Sequence, residues 1–267
     1  MNNRLIIYFK NKLRILKWKI LGINDNTSNE TIREIDLLLI DKLLKKNNTL
    51  HPTVIDIGAN VGLYSKVILE ALFERKGKCI SFEPRNDVYK ALKKRVNSDY
   101  MVAENFSISN HINTSKLFLS ASHGKNSLFK YDEFIGFDWQ YTNSITLDSY
   151  ISTNSIKNIE LIKIDVEGHE FQVIEGSLGT LAKFRPIVLC EVENRHLLPQ
   201  GKNVNEFLEM MLSLDYKSYI LDKNSQKLIS TNLIEIPLSK TDNKIYYYNY
   251  WFIPQENEDI IKNFSSQ

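Results

Sequence analysis

Four short apolar runs, Val54-Ile55-Asp56-Ile57, Cys79-Ile80-Ser81-Phe82-Glu83, Leu161-Ile162-Lys163-Ile164-Asp165 and Ile187-Val188-Leu189-Cys190-Glu191, each carry or end in a carboxylate. Stretches of helical spacing lie between them. Runs of this length, rich in β-branched residues and alternating with helices, describe strands of a mostly parallel sheet covered on both faces. In such an open α/β sheet, ligands bind beyond the carboxyl ends of the strands, where strand order reverses. The acidic ends of these runs therefore gather at the ligand-binding edge. A chain of 267 residues suffices for one domain of this kind with an appendage, and it buries a core without needing disulfides.

The spacing predicts the remaining elements. Ile32, Ile35, Leu39 and Leu43 recur at helical intervals after a capping box of Thr27 and Glu30, so a helix leads up to the opening strand. Helices are expected at 63–69, 87–96, 171–181 and 204–214. Further strands are expected at 101–108 and 216–221, with a long aromatic strand at 244–253. Between 115 and 147 the pattern becomes short β-like pieces separated by turn residues, read as small strands over one edge of the sheet. The organisation expected is an amino-terminal helical extension (1–50), a domain at 51–255 and a short tail at 256–267.

The turn Gly58-Ala59-Asn60-Val61-Gly62 follows the first strand and opens a helix. A dinucleotide fingerprint needs three glycines in the order G-x-G-x-x-G so that backbone can approach a pyrophosphate. Here Asn60 stands in the place of the middle glycine. Asp56, two residues before the first glycine, suits a ligand bearing a cationic amine better than a diphosphate. Glu83 follows by about 20 residues, where α/β nucleotide sites commonly place a carboxylate for the ribose hydroxyls. The stretch Asp165-Val166-Glu167-Gly168-His169-Glu170 concentrates three carboxylates and a histidine at a strand-to-helix junction, and buried charge there must be paired, hydrated or used.

Composition narrows the partners. With 34 basic and 32 acidic side chains the net charge is +2, which demands no polyanion-binding surface, and no nucleic-acid partner is expected. Cys79 and Cys190 lie in strand-like runs and match no zinc or redox spacing, as for reduced core residues of a cytoplasmic protein. No run reaches the roughly 20 apolar residues of a membrane span. Residues 4–21 interleave basic with apolar side chains, and that stretch suits either an anionic membrane surface, at the inner face of the membrane, or packing on the domain.

V-I-D-I-G-A-N-V-G, S-F-E-P, I-T-L-D, I-K-I-D-V-E-G-H-E and P-I-V-L-C-E-V-E, in that order from about residue 53 to 193, resemble the FkbM-type S-adenosylmethionine-dependent methyltransferases. The resemblance implies a Rossmann-like seven-stranded methyltransferase sheet with an antiparallel last strand, for which 246–252 is the candidate. It implies S-adenosyl-L-methionine as cofactor. Gly58, Asn60 and Gly62 would admit and support its methionine part with Asp56 holding that region electrostatically, Glu83 would take the ribose, and Asn105 and Ser107 would border the adenine. Methylases of adenine amino groups carry Asn or Asp, two prolines and an aromatic where this chain has Asp165-Val166-Glu167-Gly168. That departure favours a hydroxyl of a sugar, glycolipid, polysaccharide or natural product as acceptor. Asp165 and His169 are then the candidates to orient and deprotonate it, His169 titrating near neutral pH, with Glu167 at the rim.

Two other classes fit part of the pattern: a nicotinamide-dependent oxidoreductase, opposed by the absent middle glycine, and a nucleotide-binding module without catalysis. Asp165, Glu167, Glu191 and Glu193 are also of the type that gathers around Mg²⁺, although no metal is assigned from sequence.

Overall fold

The computed structural model describes residues 30–120, 126–131, 138–222, 225, 227–233 and 247–259. The basic stretch 4–21, Thr27 of the expected capping box and most of the expected tail lie outside them. The chain opens with α1 (Glu30–Lys46) and then alternates β1 (Thr53–Ile57), α2 (Leu63–Leu72), β2 (Lys78–Phe82), α3 (Asn86–Arg95) and β3 (Met101–Glu104). A small insertion follows, made of β4 (Ser107–Ile108), β5 (Asn113–Phe118) and β6 (Trp139–Ile145). Then come α4 (Leu147–Thr153), β7 (Leu161–Ile164), α5 (Glu170–Glu175), α6 (Leu178–Phe184), β8 (Ile187–Glu191) and α7 (Asn194–Leu197). The chain closes through α8 (Val204–Ser213), β9 (Tyr216–Leu221), β10 (Leu228–Ser230) and β11 (Asn249–Pro254).

Among the described residues the main sheet has eight strands, in the order β10-β9-β11-β8-β7-β1-β2-β3. Strands β3, β2, β1, β7 and β8 run parallel, whereas β11 is antiparallel to both its neighbours, β8 and β9. The sheet exceeds the seven strands expected because the three-residue β10 folds back on β9 as an additional edge. Sequence order reverses beside β1, between β2 and β7, which places the crevice above the carboxyl ends of those strands.

Period-two alternation divides the core. Ile55, Ile57, Ile162, Ile164, Tyr250 and Phe252 face α4, α5 and α8, while Val54, Leu161, Trp251 and Ile253 face α1 and α2. Helix α1 is fastened to the last strand by a buried carboxylate: Asp36 accepts hydrogen bonds from Trp251 Nε1 at 2.9 Å and Asn249 Nδ2 at 2.6 Å.

Two expected elements divide. The strand expected over 101–108 breaks at Asn105, whose Nδ2 donates to the carbonyls of Glu83 and Pro84 at 2.9 and 3.1 Å. The chain thereby leaves the main sheet, and Ser107–Ile108 pairs with β6 in the order β4-β6-β5. The helix expected over 171–181 turns a corner at Gly176-Ser177, because Asp148 of α4 accepts from Gly179 N at 2.9 Å and Thr180 N at 2.6 Å. Those donors at the start of α6 have no partner within the helix, so the side chain fixes a new helix start.

Candidate active site

The crevice forms a partly open cleft at the carboxyl ends of β1, β2 and β7. Gly58, Asn60, Glu83, Ser107, Asp165, Glu167 and His169 all line it, together with an apolar wall of Phe106, Ile108, Leu117 and Leu128. Of the residues singled out in the sequence, Asp56, Gly62 and Asn105 stand behind it.

The glycine turn is shaped by its neighbours in the protein. Gly58 has φ +74°, and a Cβ there would lie 1.8 Å from the Asp165 carbonyl oxygen, so glycine is required for the β1 and β7 loops to pass each other. Gly62, at φ +85°, lets α2 begin against Leu92 and Val96 of the α3 end. Gly58 N and Ala59 N both donate to the Phe82 carbonyl, at 3.0 and 2.9 Å. The carboxylate of Glu83 then accepts from Asn60 N and from Arg85 N, each at 2.9 Å. A carboxylate offers about four acceptor positions, so roughly two remain for a ligand. Burial raises the Glu83 pKa to about 7, against the stabilising pull of those two backbone donors.

Asp56 is fully buried and already has its cation: Lys163 Nζ lies 3.3 Å from Oδ1, and Ser65 donates to Oδ2 at 2.6 Å. It therefore underlies the loop and is not among the residues lining the cleft. Asn60 lines the cleft, and its buried Oδ1 has no hydrogen-bond partner among the described residues. Ser107, also at the cleft, shares a 2.7 Å hydrogen bond with Ser144 that ties the small sheet together.

On the opposite side, Glu167 sits at φ +52° with its carbonyl oxygen held by the hydroxyls of Ser127 at 2.7 Å and Tyr131 at 3.1 Å. Gly168 lies so close beneath Tyr131 that a Cβ would come within 1.7 Å of its hydroxyl oxygen. The Glu167 carboxylate is 3.1 Å from His196 Nε2 and 3.6 Å from Arg195 Nη2. Burial, reinforced by the charge of Asp165 and offset by Arg195, holds its pKa well above the carboxylate range. His169 departs from expectation: burial, with help from the charges of His111 and Lys202, lowers its pKa to about 4, so it is neutral near pH 7 rather than titrating there. Its Nε2 is 3.0 Å from Ser109 Oγ.

Ligand oxygens of Asp165, Glu167 and Glu191 lie within 4.8 Å of one another. Glu193, the fourth carboxylate weighed for a cation, instead faces Arg195 at 2.6 Å. Sequence reasoning did not single out Lys163, Tyr131, Arg195 or His196. Lys163 alone had a local signal, a lysine inside an otherwise apolar strand.

The sequence profile of the methyltransferase FkbM domain matches residues 56–221. The chain belongs to the FkbM methyltransferase family. That membership replaces the nicotinamide-dependent alternative, and the match spans every residue that lines the cleft. Among solved structures, the FkbM methyltransferase from Methylobacillus flagellatus KT is 12% identical with a TM-score of 0.48, covering 76% of this chain and 43% of its own. This FkbM-family chain thus spans less than half the length of that relative. A putative rRNA-methylase from Clostridium thermocellum is 9% identical, with a TM-score of 0.45 and coverage of 81% of this chain and 92% of its own. The SAH-bound methyltransferase PaMTH1 from Podospora anserina is 9% identical, with a TM-score of 0.36 and coverage of 66% and 60%. No curated protein matches the sequence. Among the described residues, no helix is long and apolar enough to cross a membrane.

Proposed function

We propose that this FkbM-family chain transfers a methyl group from S-adenosylmethionine to a hydroxyl oxygen of a sugar, glycolipid, polysaccharide or natural product. The observation that carries the reading is the pairing, in one cleft, of Glu83 with spare acceptor capacity and Asn60 with an unmatched buried oxygen. A ribose diol and an ammonium group are the donors that these atoms lack, and the cofactor's adenosyl and methionine parts contain both. The apolar wall of Phe106, Ile108, Leu117 and Leu128 suits a flat base.

When bound, S-adenosylmethionine supplies an electrophilic methyl group on a positively charged sulfur. The protein's part is to align an acceptor oxygen behind that methyl and to receive the acceptor's proton. Glu167, which lines the cleft beside Asp165, is the group assigned the second task, in its ionised form, its raised pKa strengthening it as a base once ionised. Asp165 orients the hydroxyl. His169, neutral and bonded to Ser109, supports the wall of the cleft. The turn Asp165-Val166-Glu167-Gly168, which has no proline pair and aromatic to clasp an adenine amine, supports oxygen over nitrogen as acceptor.

Calorimetry with S-adenosylmethionine, S-adenosylhomocysteine and NAD⁺ tests the cofactor assignment. Binding of the first two without the third is expected, and binding of NAD⁺ alone would refute it. Mass spectrometry of host glycans and metabolites, with and without the protein, tests the acceptor class. The expected difference is one methyl group on oxygen, and a methyl group found only on nitrogen would overturn the reading.

A further inference from the structure

Beneath the cleft runs a row of polar side chains that the proposed chemistry does not use. Ser81 of β2, Asp56 of β1 and Lys163 of β7 are register partners on adjacent parallel strands, so their side chains emerge side by side on the α2 face of the sheet. Ser65 of α2 joins them, donating to Asp56 and lying 2.9 Å from Ser81 Oγ. The rest of that face is apolar, packed by Val54, Val67, Ile68 and Leu161.

Lys163 is the member that reaches upward. Only 4% of it is exposed. Its Nζ donates to the Gly58 carbonyl at 2.9 Å and lies 3.3 Å from Asp56, 3.5 Å from Asp165 and 5.0 Å from the centre of the Tyr64 ring. Two of these partners are parts of the cleft wall from two different strands. Burial opposes the charge of Lys163, but Asp56 and Asp165 more than compensate and keep its pKa above the ordinary lysine value.

We infer that Lys163 is a positioning residue for the cofactor: from below the sheet edge it fixes the Gly58 carbonyl and the Asp165 carboxylate in the arrangement that receives the methionine end of S-adenosylmethionine. The inference rests on the cofactor assignment above. Three features carry it. Gly58 N and Ala59 N are held from the β2 side by the Phe82 carbonyl, and the Ile57 carbonyl before them accepts from Asp165 N at 3.0 Å. Lys163 supplies the corresponding hold from the β7 side. Its single charge lies between Asp56 at 3.3 Å and Asp165 at 3.5 Å, and of the two carboxylates Asp165 is the one that lines the cleft. A cationic sulfonium ligand is thus met by an anchored carboxylate, on a turn whose Gly58 carbonyl is tied to Lys163 below, while the ammonium stays out of contact.

A structural role and a positioning role separate in paired variants. Lys163→Met alone leaves Asp56 as an unpaired buried charge, so any loss of binding could reflect loss of fold. Lys163→Met/Asp56→Asn removes the ion pair as a unit, and Lys163→Gln/Asp56→Asn does the same while keeping an N–H donor at position 163. Each full-length variant is to be followed by thermal unfolding and by calorimetry with S-adenosylhomocysteine and S-adenosylmethionine. The expected result is unfolding close to wild type in both doubles, with affinity weakened about tenfold or more in the Met double and in part regained in the Gln double, as for loss and partial return of a charge-assisted hydrogen bond. A folded Met double that binds both ligands like wild type would overturn the inference and leave Lys163 as the neutraliser of Asp56.

Should neither double fold, Asp56→Asn alone decides. It preserves Lys163 on the Gly58 carbonyl and Asp165, so affinity within about twofold of wild type is expected, and a tenfold loss in a folded variant would assign the effect to Asp56 instead. Failure of the cofactor assignment itself is seen separately, as absence of binding by the wild-type chain, and would remove the ground for the inference.

Discussion

Lowering the pH is expected to weaken cofactor binding through Glu83, and the size of the effect follows from its surroundings. Burial lifts this carboxyl from 4.5 to about 7, while only the ionised form can accept from both ribose hydroxyls in addition to Asn60 N and Arg85 N. The binding-competent fraction is then about nine-tenths at pH 8 and about one-tenth at pH 6, and apparent affinity scales with that fraction. Affinity for S-adenosylhomocysteine should therefore fall about tenfold between pH 8 and pH 6, and binding at pH 7 should release about half a proton. Calorimetry in buffers of different ionisation enthalpy reads both quantities. The same shift acts on the fold in the opposite direction. Because the native pKa is raised, the neutral carboxyl stabilises the fold at low pH, and about 3 kcal/mol of that contribution is lost as pH rises from 4.5 through 7. Glu170, also raised to about 7 by burial, adds to the stability trend, but it is not among the residues lining the cleft. Glu83→Gln should accordingly flatten the binding profile and increase stability at pH 8. Affinity that is flat from pH 6 to pH 8, or a slope that persists in Glu83→Gln, would refute the reasoning.

Glu167→Gln should lower turnover by about 10²- to 10⁴-fold with little change in cofactor affinity, as for loss of a general base, whereas His169→Ala should lower it by less than about tenfold; a reversed order in steady-state assays would return the base to His169. Gly58→Ala should unfold at markedly lower temperature than Gly201→Ala, although both glycines have positive φ, because only the Gly58 methyl would overlap backbone, and equal melting temperatures would show that the β7 loop yields. Asp36→Ala should destabilise the fold by about 1–3 kcal/mol, measured by denaturant unfolding, since it strands a buried donor on Trp251 and a partly buried one on Asn249. Deleting residues 1–24 should leave S-adenosylhomocysteine affinity unchanged, and a loss in a still-folded protein would show that this segment contributes to the cleft.

The strands were readable because their burial is written into each run: Val54-Ile55-Asp56-Ile57 and Ile187-Val188-Leu189-Cys190 have side chains that only a two-sided apolar environment accommodates. Glu83, Asp165 and Glu167 could be assigned to one edge of the sheet because parallel strands bring their ends together whatever the intervening sequence. Interactions set by distant loops were not accessible in this way. Tyr131 reaches Glu167 across 36 positions and His196 across 65, and nothing local to any of them announces the contact. The titration of His169 was misjudged for the same reason, as its burial depends on segments far away in sequence. Lys163 is the instructive omission: its opposition to Asp56 follows from placing two recognised strands in register, a step that sequence inspection alone did not take.

The position of β11 has a consequence for how the chain is made. It is the last strand among the described residues, yet it lies between β8 and β9 rather than at an edge. Until residues 249–254 leave the ribosome, β8 presents an open hydrogen-bonding edge, and the β9–β10 hairpin has no bonded neighbour through which to join the body of the sheet. The Asp36 contacts of helix α1 also form only then, because both partners are on that same strand. A chain stopped short of residue 249 would therefore lack the Asp36 contacts and carry an unprotected strand edge of the kind that drives aggregation.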